Sequence, residues 1–311
     1  MSRLDLALEQ KVLRTFRTLP KPPRKLLLAV SGGLDSVVMA EILWRWKRGL
    51  KLELALAHIH HGPANTAGQT RFRTRAQAFT RAWAAARGLE FFTNREGPPK
   101  ALHSEQEWRD WRELHLRQWR TDFDAVAMAH HQDDLLETRL IRLIRGSGAQ
   151  GMHAMSEFKA GRWRPLLTVS RQEISDYAKV RTLTWVEDPS NRKTEALRNW
   201  LRRDWLPSLE NKRPGALSTL ARSLENLAPE IREFDLAPFV GLRRAALAGC
   251  SVSERRELLA RYLKALGLKG YARTHVDEIL KRLDLLRGES EFSLLGLTFK
   301  ISPDFLWASR V

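Results

Sequence analysis

The sequence predicts an α/β protein built on a doubly wound parallel sheet, with a smaller, mainly helical C-terminal domain. Three observations carry that expectation. Short apolar runs alternate with longer helical segments through residues 26–145, the first run ends in a glycine-rich turn that opens a helix, and the composition changes near Pro207. Each apolar run is about five residues long and bounded by turn residues, which favours buried strands over helix segments. Regular alternation of strand and helix in turn implies parallel pairing with helical crossovers. Of the 311 residues 43% are hydrophobic, enough to fill the cores of two domains.

Residues 26–30 form the first strand and run into Ser31, Gly32, Gly33, Leu34, Asp35 and Ser36, with a helix over 37–46. Glycines without a Cβ let backbone N–H groups close on an anion, Ser31 and Ser36 add hydroxyl donors, and the helix turns its positive end to the same spot. The turn therefore reads as a phosphate site. No GxxxxGK[ST] segment occurs, so the site lacks the lysine that grips the β and γ phosphates in a Walker-type loop. A second strand follows at 52–58, a helix at 69–87, a third strand at 89–93, a helix at 104–120, a fourth strand at 125–129 and a helix at 133–145. Ligands of such a sheet collect at the carboxyl ends of its strands, where Ser31, His58 and His130 all fall. Pro207, Pro214 and Gly215 punctuate a basic connector, which sets the expected domains at 1–206 and 207–311. Beyond it, 216–234 and 251–286 carry leucines at helical spacing, and 292–306 alternates like a short hairpin.

Lysine and arginine number 53 against 36 aspartates and glutamates, a formal charge of +17, of which +12 falls in residues 1–210. A polyanion is the expected partner. Nucleic acid is favoured over a membrane, because no stretch approaches the roughly 20 apolar residues of a spanning helix. Residues 1–20 mix charges with leucines around no central apolar block, so no export signal is expected and the expected compartment is the cytoplasm. Cys250 is the single cysteine, which excludes an intramolecular disulfide, a Cys-x-x-Cys redox pair and a cysteine-held iron–sulfur cluster.

Several side-chain constellations carry chemistry. The second strand ends in His58-Ile59-His60-His61-Gly62, whose histidines could serve loop structure, a nucleotide or a metal; alternation along an extended strand end throws neighbours to opposite sides. The fourth strand ends in Ala129-His130-His131-Gln132-Asp133-Asp134, followed by Glu137 and Thr138. Asp133, Asp134 and Glu137 share a helix face near its N-terminus, where a cation would relieve their repulsion and where an aspartate could equally cap the helix. Glu105, Arg109 and Arg112 form one polar stripe at helical spacing, and Trp108, Trp111, His115 and Trp119 form a second that reads as core-facing. Residues 145–151, Arg-Gly-Ser-Gly-Ala-Gln-Gly, make a glycine-rich basic turn, and Arg198 to Arg203 form a basic block.

In order along the chain, SGGLDS at 31–36, HIHHG at 58–62, the stripe at 105–112, AHHQDDLLET at 129–138, RGSGAQGMHAM at 145–155, RPLL at 164–167, EDPSN at 187–191 and RNWLR at 198–202 resemble the tRNA(Ile)-lysidine synthetases. The resemblance covers 24–205. SGGxDS alone resembles the pyrophosphatase loop (PP-loop) of N-type ATP pyrophosphatases, and the later motifs narrow it to this one family. The resemblance implies a PP-loop ATPase fold, similar to the adenine nucleotide alpha hydrolases. It implies an ATP-dependent ligase of tRNA modification, which adenylates O2 of the wobble cytidine in the CAU-anticodon tRNA(Ile), releases pyrophosphate, and displaces AMP at C2 with the ε-amine of L-lysine. It carries the catalytic roles to Asp35, Arg109, Arg112, Asp134, Glu137 and Arg202, and ATP contacts to Ser31, Gly32, Gly33, Leu34, Asp35, Ser36, His58 and His130. Lysine falls to Asp134 and Glu137, and Mg²⁺ to Asp35. A C-terminal domain contacting tRNA is also implied.

One departure stands out. The family commonly continues HxxHxLR, whereas Gly62, Pro63 and Ala64 follow His61 here, leaving Arg71 and Arg73 as candidate substitutes. A cytidine thiolase of the same superfamily is disfavoured by the single cysteine, and a noncatalytic tRNA-binding protein by the intact Asp35, Asp134 and Glu137. The oligomeric state stays open, with a homodimer among the options.

Overall fold

The computed structural model describes residues 3–62, 66–94, 105–146, 152, 154–187, 197–227, 241–266, 268, 271–285 and 288–310. Chain contacts divide it into two compact units, 1–229 and 230–311.

The first unit opens with helix α1 (Arg3–Thr18) and continues through β1 (Lys25–Ala29), α2 (Leu34–Trp46), β2 (Glu53–His58), α3 (Ala67–Ala85), β3 (Glu90–Thr93), α4 (Glu105–Trp119), β4 (Ala125–Met128) and α5 (Gln132–Ile144). A hairpin of β5 (Phe158–Lys159) and β6 (Arg162–Trp163) precedes α6 (Arg171–Val180). After it come α7 (Leu197–Trp200), a π-helical turn over Leu201–Trp205, α8 (Leu206–Lys212) and α9 (Ala216–Asn226). The strands form one sheet in the order β3-β2-β1-β4-β6-β5, parallel except for the terminal β5. The expected α/β fold with a mainly parallel sheet is therefore present.

Period-two alternation explains how this sheet is buried on both sides. Leu26 and Leu28 join Leu56, Ala125 and Ala127 in a core with Val12 and Phe16 of α1, Val38 and Ile42 of α2 and Ile174 and Tyr177 of α6. Leu27 points the other way, into a core with Ala57, Val126, Met128 and Leu116 of α4, against which Trp119 packs. Trp119 thus faces the core as its spacing predicts. A third cluster joins Leu136 and Leu140 of α5 to Leu201, Leu206 and Ala221. This corrects the expected boundary at 206/207: α8 and α9 bury their leucines against the first unit, so it extends past the connector.

In the second unit, β7 (Leu242–Arg243), α10 (Val252–Ala265), α11 (Arg273–Leu285), β8 (Ser290–Leu294), β9 (Leu297–Ile301) and β10 (Phe305–Arg310) are described. The strands make an antiparallel sheet in the order β7-β10-β9-β8. The expectation of a mainly helical domain is corrected here. Both leucine-rich helices exist, but Leu259, Leu263 and Ile279 bury themselves against Phe299, Ile301 and Leu306 of the sheet. The hairpin read at 292–306 is its centre; it turns through Leu295 and Gly296, both at positive φ. Two-residue β7 was too short to signal itself.

Among the described residues, no helix is long and apolar enough to cross a membrane.

Candidate active site

The carboxyl ends of β1, β2 and β4 open into a cavity of about 210 Å³ lined by Ser31, Asp35, Ser36, His61, Arg112 and His130 over a floor that includes Ala57, Ile59 and Met128. Strand pairing positions its loop. Val30 donates its N–H to the Ala57 carbonyl at 2.9 Å, after which the chain leaves the sheet. Gly32 turns at φ +91°, where any side chain would be strained, although a Cβ would meet Thr80 and Ala76 of α3 only at ordinary contact distance. The Gly32 carbonyl is held by the N–H of Val186 at 2.9 Å. The hydroxyls of Ser31 and Ser36 lie 3.2 Å apart, and that of Ser36 also donates to the Gly33 carbonyl. Two hydroxyls and the first turn of α2 therefore lie together, groups of the kind that can hold a phosphate.

Three helices begin around them. Asp35 lies in the first turn of α2; Arg171 opens α6 and donates from Nη1 to Asp35 Oδ2 at 2.9 Å and Oδ1 at 3.1 Å. The start of α5 is tied to the segment just before α6, because Gln132 donates its N–H to the Val169 carbonyl. His131 precedes α5 and gives its N–H to Asp134 Oδ2, while its Nε2 stands 3.3 Å from Asp134 and 3.9 Å from Asp35. Asp133 accepts from the backbone N–H of Arg171.

One turn further, Arg202 binds both carboxylates. Its Nε donates to Glu137 Oε1 at 2.6 Å, and Nη2 donates to Glu137 Oε2 at 2.8 Å and Asp134 Oδ1 at 2.7 Å. Arg198 stands 3.8 Å from Glu137 and donates to the Thr138 hydroxyl. Glu137 is 1% exposed, and burial pushes its carboxyl above the usual range although Arg202 pulls it down. Burial also acts on Asp134, but the charges of His131 and Arg202 and the His131 N–H hold it below the ordinary value. For Arg202, burial works against the charge and the bonds and charges of Glu137 and Asp134 more than compensate, raising its pKa.

The motif residues thus converge, with three exceptions. His58 does not line the cavity: it is buried beneath the loop with Nδ1 2.9 Å from the Val30 carbonyl, so it supports the loop, and His61 lines the cavity in its place. Arg109 is exposed and lies outside the cavity, close enough to Arg142 for its charge to add to burial in lowering that guanidinium's pKa. The Glu105 side chain and all of 147–151 and 188–191 lie outside the described residues. Arg171 was not among the expected site residues, and His61 was weighed only as one of the strand-end histidines. A signal for Arg171 was available, since Ser170 and Glu173 spell a capping box that marks a helix start, and the box is formed. Arg73 donates to the carbonyls of His61 and Gly62 and lies over the Trp108 ring, so it braces the loop where the usual Leu-Arg is missing.

Burial lowers His58, His61 and His130 to about 4 each, with the charges of Arg73 and Arg112 adding to the effect at His61 and those of Arg164 and Arg112 at His130. The unfolded chain protonates these rings below about pH 6.5 and the folded chain does not until about 4. Their contribution to stability is therefore complete above pH 6.5 and falls as the pH drops towards 4, by about 1.4 kcal/mol per pH unit for each ring. Urea unfolding at pH 7 and pH 5 should show this loss, and His58→Gln should flatten the slope. Equal slopes for the variant and the parent would remove His58 from the account.

Among the described residues, no three histidine, cysteine or carboxylate side chains converge as a metal cage. Asp35 is a hard oxygen donor beside the glycine turn, and that donor set fits a magnesium ion that brings most of its ligands as water and substrate phosphates.

A glycine turn and a helix start at the carboxyl edge of a parallel sheet are the geometry of the nucleotide-binding α/β proteins. A family model described as the PP-loop domain matches residues 4–209. The tRNA(Ile)-lysidine synthase of Bdellovibrio bacteriovorus is 36% identical over 98% of this chain and 98% of its own length. That of Nitrosomonas europaea is 32% identical over 92% of this chain and 65% of its own. Among solved structures, the U34-tRNA thiolase NcsA from Methanococcus maripaludis, with its [4Fe-4S] cluster, shares the fold at TM-score 0.60 and 20% identity, over 86% of this chain and 90% of that one. The chain belongs to the tRNA(Ile)-lysidine synthase family, whose members are ATP-dependent ligases.

Proposed function

We propose that this chain joins the ε-amine of L-lysine to C2 of the wobble cytidine in the CAU-anticodon tRNA(Ile) in two steps. The observation that supports it most is that Asp35 beside the glycine turn, the half-buried Asp134 and the buried Glu137 stand at adjoining helix starts. The glycine turn receives the triphosphate of ATP, with the adenosine over the apolar floor of the cavity. Magnesium carried by the nucleotide would be held at Asp35 and would supply charge neutralisation at the phosphates. Cytidine O2 then attacks the α-phosphate, an O–P bond forms, and pyrophosphate leaves with the electrons of the broken bond. Arg112 at the cavity wall stabilises the charge that develops. Arg109, exposed outside it, is assigned to the tRNA backbone.

In the second step lysine's amine attacks C2 and AMP departs. Arg202 and Arg198 already face Asp134 and Glu137, so the lysine ammonium takes its place there as Arg202 turns towards the adenylate. Glu137, whose carboxyl is raised by burial, accepts the amine's proton. Purified protein given CAU-anticodon tRNA(Ile), ATP and labelled lysine should label the tRNA and release AMP and pyrophosphate. ADP and phosphate as products, or no label in the tRNA, would sink the reading. A thiolase reading finds no support in a chain with one cysteine.

The +12 charge of residues 1–210 assigns much of the tRNA grip to the first unit, with the C-terminal unit as a second contact. Raising salt from 50 to 200 mM should weaken tRNA binding by about 10²- to 10³-fold if about five phosphates are neutralised. A salt-independent affinity would detach the basic excess from tRNA.

A further inference from the structure

We propose that Arg171 is a catalytic residue for the first step: it exchanges Asp35 for the β- and γ-phosphates of ATP and then holds the departing pyrophosphate. The inference rests on the adenylation reading above. Arg171 touches Asp35 through Nη1 alone, at 2.9 and 3.1 Å, and its side chain is 41% exposed. Its backbone is fixed by contrast: Ser170 and Glu173 cap α6, and Asp133 accepts the Arg171 N–H. A fixed backbone with a partly exposed guanidinium can turn about its side-chain torsions without disturbing the fold.

Asp35 lines the cavity beside Ser31 and Ser36, so a triphosphate seated there comes within reach of the same guanidinium. The loop has no Walker lysine, and Arg171 supplies the missing cation from another helix. When the nucleotide and its cation reach Asp35, that carboxylate gains a new partner and Arg171 is released to the phosphates. As O2 bonds to the α-phosphorus, the bond to the bridging oxygen breaks and its electron pair leaves with pyrophosphate. Arg171 donates N–H bonds to that growing charge, and no proton changes hands.

Calorimetry on the full chain with inorganic pyrophosphate and, separately, AMP tests this. Arg171→Ala should weaken pyrophosphate binding by about 10- to 100-fold while AMP affinity stays within about twofold, and Arg171→Lys should recover part of the loss. The unchanged AMP affinity serves as the check on folding. In EDTA, Asp35→Asn should bind pyrophosphate more tightly than the parent, and adding Arg171→Ala should erase that gain. If Arg171→Ala leaves pyrophosphate affinity unchanged, or the double variant keeps the gain, Arg171 merely orients Asp35 and the proposal falls while the adenylation reading stands. A parent protein that binds neither AMP nor pyrophosphate overturns the adenylation reading and the proposal with it.

Discussion

Asp35→Ala is expected to abolish tRNA-dependent release of pyrophosphate from ATP while the fold survives. Asp35 is partly exposed in the first turn of α2, where it pairs with Arg171 and stands near His131, so the substitution opens no apolar cavity. Its removal takes away the carboxylate that lines the cavity among the described residues, and with it the oxygen donor that fits the nucleotide's cation. A loss of about 10²- to 10³-fold in the adenylation rate is expected from the lost contact to the transition state, and more where the nucleotide's cation is lost with it. Single-turnover release of pyrophosphate measures it, with circular dichroism to verify the fold. A variant that still releases pyrophosphate at the parental rate would remove Asp35 from the mechanism.

Glu137→Gln should separate the two half-reactions. The substitution keeps size and one acceptor for Arg202 but removes the charge from a side chain that is 1% exposed. A charge-assisted contact to the lysine ammonium weakens by about 1.5–3 kcal/mol, so the KM for lysine should rise by about 10- to 100-fold. Without lysine, pyrophosphate release in a single turnover should change by less than about threefold, because that step uses the loop and ATP. Suppose instead that adenylation fails as fully as in Asp35→Ala while the lysine KM holds. Glu137 then belongs to the nucleotide site, and the assignment of lysine to it is wrong.

The two experiments bear on different parts of one cluster, and Arg202 connects them. It is bound to Asp134 and Glu137 at once, and the charge of Asp35 also acts on it. Changes at Asp35 and Glu137 are therefore not expected to add, since residues sharing one ion-pair network couple. Measuring the double variant would give the size of that coupling directly.

Local chemistry made part of this protein legible from sequence alone. Residues 26–30 announce a buried strand by composition, SGGLDS announces a phosphate turn because only glycine reaches φ +91° cheaply, and the Asp134–Glu137 spacing puts both carboxylates on one helical face. The hairpin at the C-terminus was legible for the same reason, since alternation is a local property. The tertiary structure alone decided which of these residues meet. Arg171 and Asp35 are 136 positions apart and Arg202 and Glu137 are 65 apart, and no local pattern encodes either pairing. It also decided that His61 and not His58 lines the cavity: one strand residue turns inward to the Val30 carbonyl, and the backbone beyond the strand carries the other to the opening. The leucine spacing of 251–286 correctly indicated helices, but a helix face does not state whether a sheet or other helices will cover it. Burial is a property of the assembled layers, and so are the raised carboxyl of Glu137 and the neutral histidines that follow from it.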